Sequence, residues 1–172
     1  MTAERFRLKP AVHVLLVRDD HVLLLRREHT GYEDGNYRVI AGHLDGGEEV
    51  KTAAIREARE EAGIAIAPDN LRVVGVMHRF SQRATGPDER IDFFVAAERW
   101  SGAIVNAEPE KCGDLSWFAV DALPSNTIPY VRRAIANYRA GRWFDSFGWE
   151  SANVSQTMAP RDEENDERSA PA

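Results

Sequence analysis

Glutamates recur at fixed spacing between residues 42 and 64, in the stretch GHLDGGEEVKTAAIREAREEAGI, and these are the residues best suited to chemistry. Glu57, Glu60 and Glu61 stand at positions i, i+3 and i+4, which one face of a helix brings together. Each like-charged pair on an exposed helix costs roughly 0.2–0.5 kcal/mol, and a bound cation removes that cost. Because ligation by oxygen alone favours Mg²⁺ or Mn²⁺, the pattern predicts a divalent-metal site for phosphate chemistry.

The helix that carries these glutamates has recognisable ends and a packing face. A glycine-rich turn at residues 45–47 precedes it, and Gly63 stands where a C-cap glycine is expected. The small or apolar residues that fall on another face and can pack inward are Ile55, Ala58 and Ala62. A solvated acidic helix explains residues 56–63 alone equally well, but Gly42 and Glu48 in register favour the metal site.

The whole run resembles the Nudix box, Gly-x5-Glu-x7-Arg-Glu-U-x-Glu-Glu-x-Gly-U, in which U is usually an aliphatic residue. Every fixed position is present, with Ala58 as a small occupant of the first U position. The chain is therefore similar to Nudix hydrolases, and the flanking strand pattern extends the resemblance over residues 1–150. The resemblance implies an α/β/α sandwich with a mixed β-sheet, in which the box forms a loop–helix–loop.

The resemblance also implies roles for individual residues. The implied metal ligands are the Ala41 carbonyl and the carboxylates of Glu57, Glu60 and Glu61, and the implied cofactor is Mg²⁺ or Mn²⁺. Gly42 shapes the loop, while Glu48 and Arg56 pair and brace the loop against the helix without acting on the substrate. Family members commonly have Pro-Gly before the box glycine; here Ile40 and Ala41 stand there, which a backbone ligand tolerates.

The general base is open between two regions of the chain. Divalent metals lower the pKa of bound water, and a carboxylate can then take its proton. In family members this carboxylate is a box glutamate, here Glu57 or Glu60, or an acid from a later loop, here Glu108 or Glu110. We favour Glu110, which precedes the predicted strand that carries Trp117; the alternative is a solvent-exposed acidic loop without a catalytic role.

Substrate-binding residues are predicted from residue type alone. Arginines hold phosphates through charge-assisted hydrogen bonds, and aromatic rings stack on nucleobases. The predicted set is Arg26, Tyr37, Arg38, His78 and Arg79. The further candidates are Tyr32, His43, Phe80 and Trp117. Burial in the core is the competing explanation for each aromatic residue.

The implied activity is metal-dependent hydrolysis of a nucleoside diphosphate linked to another moiety. The arginine-rich motif of coenzyme A members and the upstream cysteine of isopentenyl-diphosphate isomerases are absent from the sequence. What remains resembles MutT-type enzymes, which cleave a normal or oxidised nucleoside triphosphate to the monophosphate and pyrophosphate. The alternatives are a hydrolase of a nucleotide sugar or another diphosphate-linked metabolite, and a non-catalytic nucleotide-binding module, which would not need every glutamate.

Composition limits the partners. A formal net charge of −6 argues against a general nucleic-acid-binding surface, so we expect a small nucleotide or diphosphate substrate and no polymeric nucleic acid. Cys112 is the single cysteine, which excludes an intramolecular disulfide and indicates a reducing compartment. With no signal peptide and no apolar run of membrane-spanning length, we expect a cytoplasmic protein without a membrane partner. The resemblance leaves a homodimer open.

The order of predicted elements supports one domain. The predicted strands are Ala11–Arg18, Val22–Arg26, Tyr37–Ala41, Leu71–Phe80, Ile91–Ala97 and Leu115–Val120. We expect a polar loop at Ser81–Arg90 and a second helix at Pro129–Ala140, stopped by Gly141. Residues 151–172 hold five acidic and two basic residues and no aromatic residue, so they are predicted to be a disordered acidic tail behind a domain at 1–150.

Overall fold

A computed structural model gives the fold and describes residues 5–150; the predicted tail lies outside these residues. The strands are β1 (Lys9–Arg18), β2 (His21–Arg27), β3 (Tyr37–Arg38), β4 (Ile40–His43), β5 (Leu71–Arg83), β6 (Gly86–Ala97), β7 (Cys112–Ala119) and β8 (Phe144–Phe147). The helices are α1 (Val50–Ala62) and α2 (Pro129–Arg139), and a short 3-10 turn spans Pro68–Asn70. Neither α-helix in this part of the chain is long and apolar enough to cross a membrane.

The strands form one mixed sheet with a helix on each face. Strand order is β3-β2-β1-β6-β5-β8, with β4 beside β1 and β7 beside β2. The pairs β1–β6 and β5–β8 are parallel, whereas the other pairs are antiparallel. This arrangement confirms the predicted sandwich with a mixed sheet.

Alternation along the central strands builds a core on each face of the sheet. Val14 and Leu16 pack with the small buried face of α1, including Ala58, while Leu15 packs with the buried face of α2, including Ile135. All five side chains are at most 1% exposed. Burying a side chain the size of leucine contributes about 1.5–3 kcal/mol, so these two cores fix both helices against the sheet.

Helix α1 has defined ends, which hold its glutamates in register. The Glu49 side chain accepts hydrogen bonds from the amides of Lys51 and Thr52 at the N-terminus. Gly63 adopts a left-handed conformation with φ 68°, and its amide donates to the Arg59 carbonyl. Glycine is the residue that adopts this conformation without strain, so the predicted C-cap is confirmed.

The predicted loop at Ser81–Arg90 is wrong. Strands β5 and β6 continue through it as one antiparallel hairpin, with Arg83 paired to Gly86 across a two-residue turn. Charged residues at alternate positions of this hairpin share one face of the sheet and pair with each other. The polar composition of the segment therefore comes from one charged face of two paired strands and does not indicate a loop. The predicted strand Tyr37–Ala41 is also divided, because β3 pairs with β2 and β4 pairs with β1. Strand β8 was not predicted.

Candidate active site

The box loop meets its helix at Gly42. This glycine lies against the Glu57 side chain, and a Cβ atom at residue 42 would overlap the Glu57 carboxylate. Glu57 is 8% exposed, and this burial raises the pKa of its carboxyl group, although Arg56 acts in the opposite direction. A residue with a side chain at position 42 would displace the carboxylate, which explains the glycine.

Arg56 ties the loop to the helix and lies between two box carboxylates. Its Nε and Nη2 atoms each lie 2.9 Å from a Glu48 oxygen, so the expected pair is present. These hydrogen bonds, with one from the Asp45 amide, lower the pKa of Glu48 to about 2. Arg56 Nη1 is 2.6 Å from Glu57 Oε1 and 3.3 Å from Glu60 Oε2. A cationic nitrogen is therefore shared by both carboxylates.

Glu61 is held separately, in a buried ion pair with Arg38. Arg38 Nη2 lies 2.7 Å from Glu61 Oε1, and Nη1 lies 3.0 Å from Oε2. The Ala41 amide donates to Oε2 at 3.2 Å, and the Ala41 carbonyl accepts from Arg38 Nη1 at 3.2 Å. Burial raises the pKa of Glu61 against the effect of Arg38. Two predicted metal ligands, Glu61 and the Ala41 carbonyl, thus share one arginine.

The chemistry of these oxygen donors fits a hard cation. Glu57 and Glu60 already share a positive charge, which an ion could replace between them. Glu61 accepts three hydrogen bonds out of about four that a carboxylate can accept, so it retains one position for a ligand. Among residues 5–150, no three His, Cys, Asp or Glu side chains are gathered in a metal-binding arrangement. Arg56 binds Glu57 and Glu60, and Arg38 binds Glu61.

A cleft of about 340 Å³ lies beside the box and is rich in arginine. It is lined by Ala11, His13, Arg27, Tyr32, Arg38, Ala41, Gly42, His43, Arg79, Arg83, Arg90 and Tyr130. Because Gly42 lies both in the lining and against Glu57, the cleft and the box carboxylates meet there. A phosphate in the cleft would therefore lie next to the glutamates.

Two of the predicted substrate-binding residues line the cleft, and three do not. Arg38 and Arg79 line it, each paired with a buried acid. Arg26 donates to the Gly113 carbonyl at 3.4 Å, and the Tyr37 hydroxyl donates to Asp114 at 2.6 Å. His78 contacts Glu89 at 2.8 Å and packs against Trp149. The His78 side chain lies outside the cleft because adjacent residues of a strand point to opposite faces of the sheet, and its neighbour Arg79 points into the cleft.

The floor of the cleft is a buried charged cluster. Arg79 Nε lies 2.6 Å from Asp92 Oδ2, and the Arg79 guanidinium lies 4.0 Å from the Tyr130 ring centroid. Burial raises the pKa of Tyr130 to about 12, so this hydroxyl stays neutral. His13 Nε2 is 3.3 Å from Asp92 Oδ1, but neither ring nitrogen makes a hydrogen bond to the described part of the chain. Arg79 is therefore neutralised, and His13 retains hydrogen-bonding capacity towards the cleft.

The sequence analysis missed the arginines at the mouth of the cleft. Arg27 and Arg83 lie over the Tyr32 ring, 5.4 and 4.5 Å from its centroid. Arg90 Nη1 lies 2.8 Å from His43 Nε2, and burial followed by the Arg90 charge lowers the pKa of His43, which suits a neutral acceptor. The alternation of charged residues along β5 and β6 could have identified these arginines, because residues at alternate positions of a strand lie on the same face of the sheet.

Asp88 gathers three cations on this hairpin. Its carboxylate lies 2.9 Å from Lys9 Nζ, 2.8 Å from Arg90 Nε and 2.9 Å from Arg83 Nε. The Arg83 contact is an ion pair by distance only, because Arg83 Nε is not aligned for a hydrogen bond. Burial would raise the pKa of Asp88, but these cations outweigh it and lower the pKa to about 2.

This shift predicts an acid-dependent loss of stability. A lowered folded-state pKa gives stabilisation that is present above the ordinary value and is lost as the pH falls towards 2. We expect Asp88→Asn to lower the urea midpoint at pH 7 and to flatten its fall between pH 4 and 2. Asp69→Asn, at an exposed turn residue, is the control and should keep the wild-type slope. Identical slopes for wild type and Asp88→Asn would contradict the role of Asp88.

The loop that carries Glu108 and Glu110 is anchored to the end of α1. The Ala107 amide donates to the Glu61 carbonyl at 3.2 Å, and the Val105 amide donates to the Ala62 carbonyl at 3.1 Å. Glu108 pairs with Lys111 at 2.7 Å, whereas the Glu110 residue is exposed. The structure thus places this loop beside the box helix, and a catalytic Glu110 stays a prediction.

Comparisons with known proteins agree with this geometry. The NUDIX domain family matches residues 7–144. The NAD-capped RNA hydrolase NudC of Pseudomonas aeruginosa is 40% identical over 132 residues, which are 77% of this chain and 42% of that protein. NudC of Escherichia coli is 35% identical over 118 residues, which are 69% of this chain and 42% of that protein. A MutT NUDIX hydrolase structure from Burkholderia pseudomallei has 28% identity and a TM-score of 0.69, covering 76% of this chain and 98% of that one.

The chain belongs to the Nudix family, and its fold is MutT-like. The predicted family is thereby confirmed, and Nudix hydrolases are generally dependent on divalent metal ions. The chain spans less than half the length of these curated relatives. These relatives are named for the hydrolysis of an RNA with an NAD cap, which is a polymeric nucleic acid.

Proposed function

We propose that this chain hydrolyses the phosphoanhydride of a nucleoside diphosphate linked to another moiety, with Mg²⁺ or Mn²⁺ as cofactor. The observation that carries the proposal is the arginine-rich cleft that meets the box carboxylates at Gly42. Arginine suits the recognition of phosphate because its planar guanidinium donates two parallel hydrogen bonds. The named activity of the relatives favours a dinucleotide-type diphosphate over the nucleoside triphosphate that we predicted first.

The metal would be held by Glu57 and Glu60, with Glu61 and the Ala41 carbonyl as further ligands. When bound, the ion supplies Lewis acidity and lowers the pKa of a bound water. Arg56 is held by hydrogen bonds to Glu48, and it aligns Glu57 and Glu60 through separate hydrogen bonds to each. Arg38 aligns Glu61. The chain's own contribution is therefore to hold four oxygen donors beside the cleft.

Arg38, Arg79 and His13 in the cleft would bind the diphosphate. Arg38 and Arg79 each have a buried carboxylate partner, so they contribute shape and fixed hydrogen-bonding geometry more than free charge. The His13 ring contacts Asp92 and lines the cleft, and its nitrogens make no aligned hydrogen bond among residues 5–150, so they could bind a substrate oxygen in a site where hydrogen bonds are stronger than in bulk solvent. Glu110, on the loop anchored to α1, is our candidate for the base that takes the proton from water.

A substrate panel tests the proposal. Purified full-length protein with Mg²⁺ would be incubated with NAD⁺, ADP-ribose, nucleotide sugars, dinucleoside polyphosphates and normal or oxidised nucleoside triphosphates, and products would be identified by mass. We expect two monophosphate products from a diphosphate-linked compound. If pyrophosphate is released from a triphosphate and no other compound is cleaved, the chain is instead a nucleoside-triphosphate pyrophosphohydrolase, as we predicted first. Binding without cleavage of any compound would indicate a nucleotide-binding module.

Replacement of Glu110 tests the base. We expect Glu110→Gln to lower kcat at pH 7 by about a hundredfold, because general-base catalysis contributes roughly 10²–10⁴. Glu108→Gln is the matched control on the same loop and should stay near the wild-type rate, since Glu108 is already paired with Lys111. A normal Glu110→Gln with a crippled Glu108→Gln would transfer the role to Glu108, and two normal variants would place the base in the box.

A further inference from the structure

The mouth of the cleft carries positive charge that ion pairs among residues 5–150 do not neutralise. Arg38 and Arg79 have Glu61 and Asp92 as partners, so their charges are balanced. The mouth cluster, defined as Arg27, Arg83 and Arg90, has a single close carboxylate among residues 5–150, that of Asp88, which is shared with Lys9. Four cations with one anion leave a surplus of three charges, in a chain with a net charge of −6.

The mouth cluster is held by contacts to a buried acid, a ring and a loop. Asp88 is 3% exposed and contacts Arg83, Arg90 and Lys9 from inside the hairpin. Arg27 comes from β2 and donates to the Tyr32 carbonyl at 2.6 Å and to the Thr30 hydroxyl at 2.8 Å. The Arg27 guanidinium is thus held by neutral groups, and those of Arg83 and Arg90 share one acid. Their remaining N–H groups are available to an anion.

The position of the mouth cluster relative to the box determines what it can bind. Arg90 contacts His43, which directly follows Gly42 in β4. All three arginines line the same cleft as Ala41 and Gly42, but none makes a hydrogen bond or ion pair to Glu57, Glu60 or Glu61 within the described residues. An anion at the mouth cluster would thus be a neighbour of the diphosphate at the box and a separate group from it.

We infer that the mouth cluster is a binding subsite for a third phosphate of the substrate, one beyond the two that share the cleaved anhydride. This inference rests on the proposed hydrolysis at the box. Three converging guanidinium groups match a phosphate, which offers several acceptor oxygens and one or two negative charges. The same chemistry has two sources: the terminal phosphate of a nucleoside triphosphate, or a phosphodiester that extends a dinucleotide diphosphate at its ribose.

Binding without metal tests the subsite independently of catalysis. Full-length protein in EDTA-containing buffer would be titrated calorimetrically with inorganic tripolyphosphate. We expect Arg83→Gln and Arg90→Gln each to weaken binding about tenfold, because each removes charge-assisted hydrogen bonds. Arg72→Gln is the matched control: it lies on the same strand β5, is exposed, and its ion pair among residues 5–150 is a 3.9 Å contact to Glu98. Unchanged binding in folded Arg83→Gln and Arg90→Gln would overturn the subsite.

Kinetics with matched substrates tests the assignment to a third phosphate. With Mg²⁺, kcat/KM would be measured for NAD⁺, for NAD⁺ extended by one 3′-linked nucleotide, and for ATP. We expect Arg83→Gln to lower kcat/KM about tenfold for a substrate with the third phosphate, mainly through KM, and to change NAD⁺ hydrolysis far less. The extended dinucleotide or ATP, whichever shows this loss, identifies the source.

Equal losses on NAD⁺ and on the three-phosphate substrates would overturn the inference, because the arginines would then serve the cleaved diphosphate itself. The two proposals fail separately. If wild-type protein cleaves none of the compounds, the proposed function is lost, while the metal-free titration still decides whether the mouth cluster binds phosphate. Thermal melts of Arg83→Gln, Arg90→Gln and Arg72→Gln establish that each variant is folded.

Discussion

Glu60→Gln should remove turnover while leaving the fold in place. Its side chain is 53% exposed and its described contact is to Arg56 at 3.3 Å, so little of the folding free energy depends on it. If Glu60 holds the divalent ion, the variant loses several kcal/mol of transition-state stabilisation, which lowers kcat by about a hundredfold or more. The measurement is kcat at saturating Mg²⁺ on the substrate identified by the panel, beside a thermal melt.

A second exposed glutamate provides the control for charge alone. Glu98 is 66% exposed, contacts Arg72 at 3.9 Å and lies outside the lining of the cleft. Glu98→Gln changes the net charge of the chain by the same amount, so it should keep wild-type turnover and wild-type Mg²⁺ dependence. If Glu60→Gln also keeps both, the metal assignment of this residue is wrong.

The sequence predicted the box and its helix correctly because their constraints are local. Glu57, Glu60 and Glu61 share a helix face through i, i+3 and i+4 spacing, and Gly63 ends the helix through its own backbone conformation. The pairing of Glu48 with Arg56 follows from the same short stretch of chain. Each of these features needs only residues within about two turns of helix, so a single sequence contains them.

The cleft was predicted less well because distant strands assemble it. Arg27, Arg83 and Arg90 come from β2, β5 and β6, and they meet only after β1 pairs with β6 in parallel. Residue type alone selected His78 with Arg79, yet adjacent residues in a strand face opposite sides of a sheet. The polar composition of Ser81–Arg90 is also typical of a loop, whereas Asp88 in this segment is buried with its cations. Pairings of this kind depend on tertiary contacts.

Arg38 lines the cleft and also binds a carboxylate of the box. Predicted as a phosphate-binding residue, it is 7% exposed and is bidentate to Glu61. A buried Glu61 without this partner would be costly to ionise, since burial by itself raises its pKa. Arg38 therefore opposes the effect of burial and favours the charged form of Glu61.

Removing that charge should destabilise the protein strongly. We expect Glu61→Gln to lower the free energy of unfolding by about 3–5 kcal/mol, because it keeps the shape but leaves Arg38 buried without a counter-charge. The measurement is urea unfolding at pH 7, with the slope in urea checked against wild type. Glu60→Gln, one residue earlier on the same helix and half-exposed, is the matched control and should change the free energy by less than about 0.5 kcal/mol.

The double variant Arg38→Met/Glu61→Leu separates the pair from its parts. Apolar side chains of similar volume remove both buried charges together, so the double variant should be more stable than Glu61→Gln although it lacks the ion pair. A loss below about 1 kcal/mol in Glu61→Gln would instead indicate that Glu61 is already protonated at pH 7, since the substitution would then remove no charge. We expect stability to depend on Glu61 and turnover on Glu60, so the two neighbouring glutamates should give different phenotypes. The Glu60→Gln protein should be folded and inactive, whereas Glu61→Gln should already have a lower free energy of unfolding when no metal is bound.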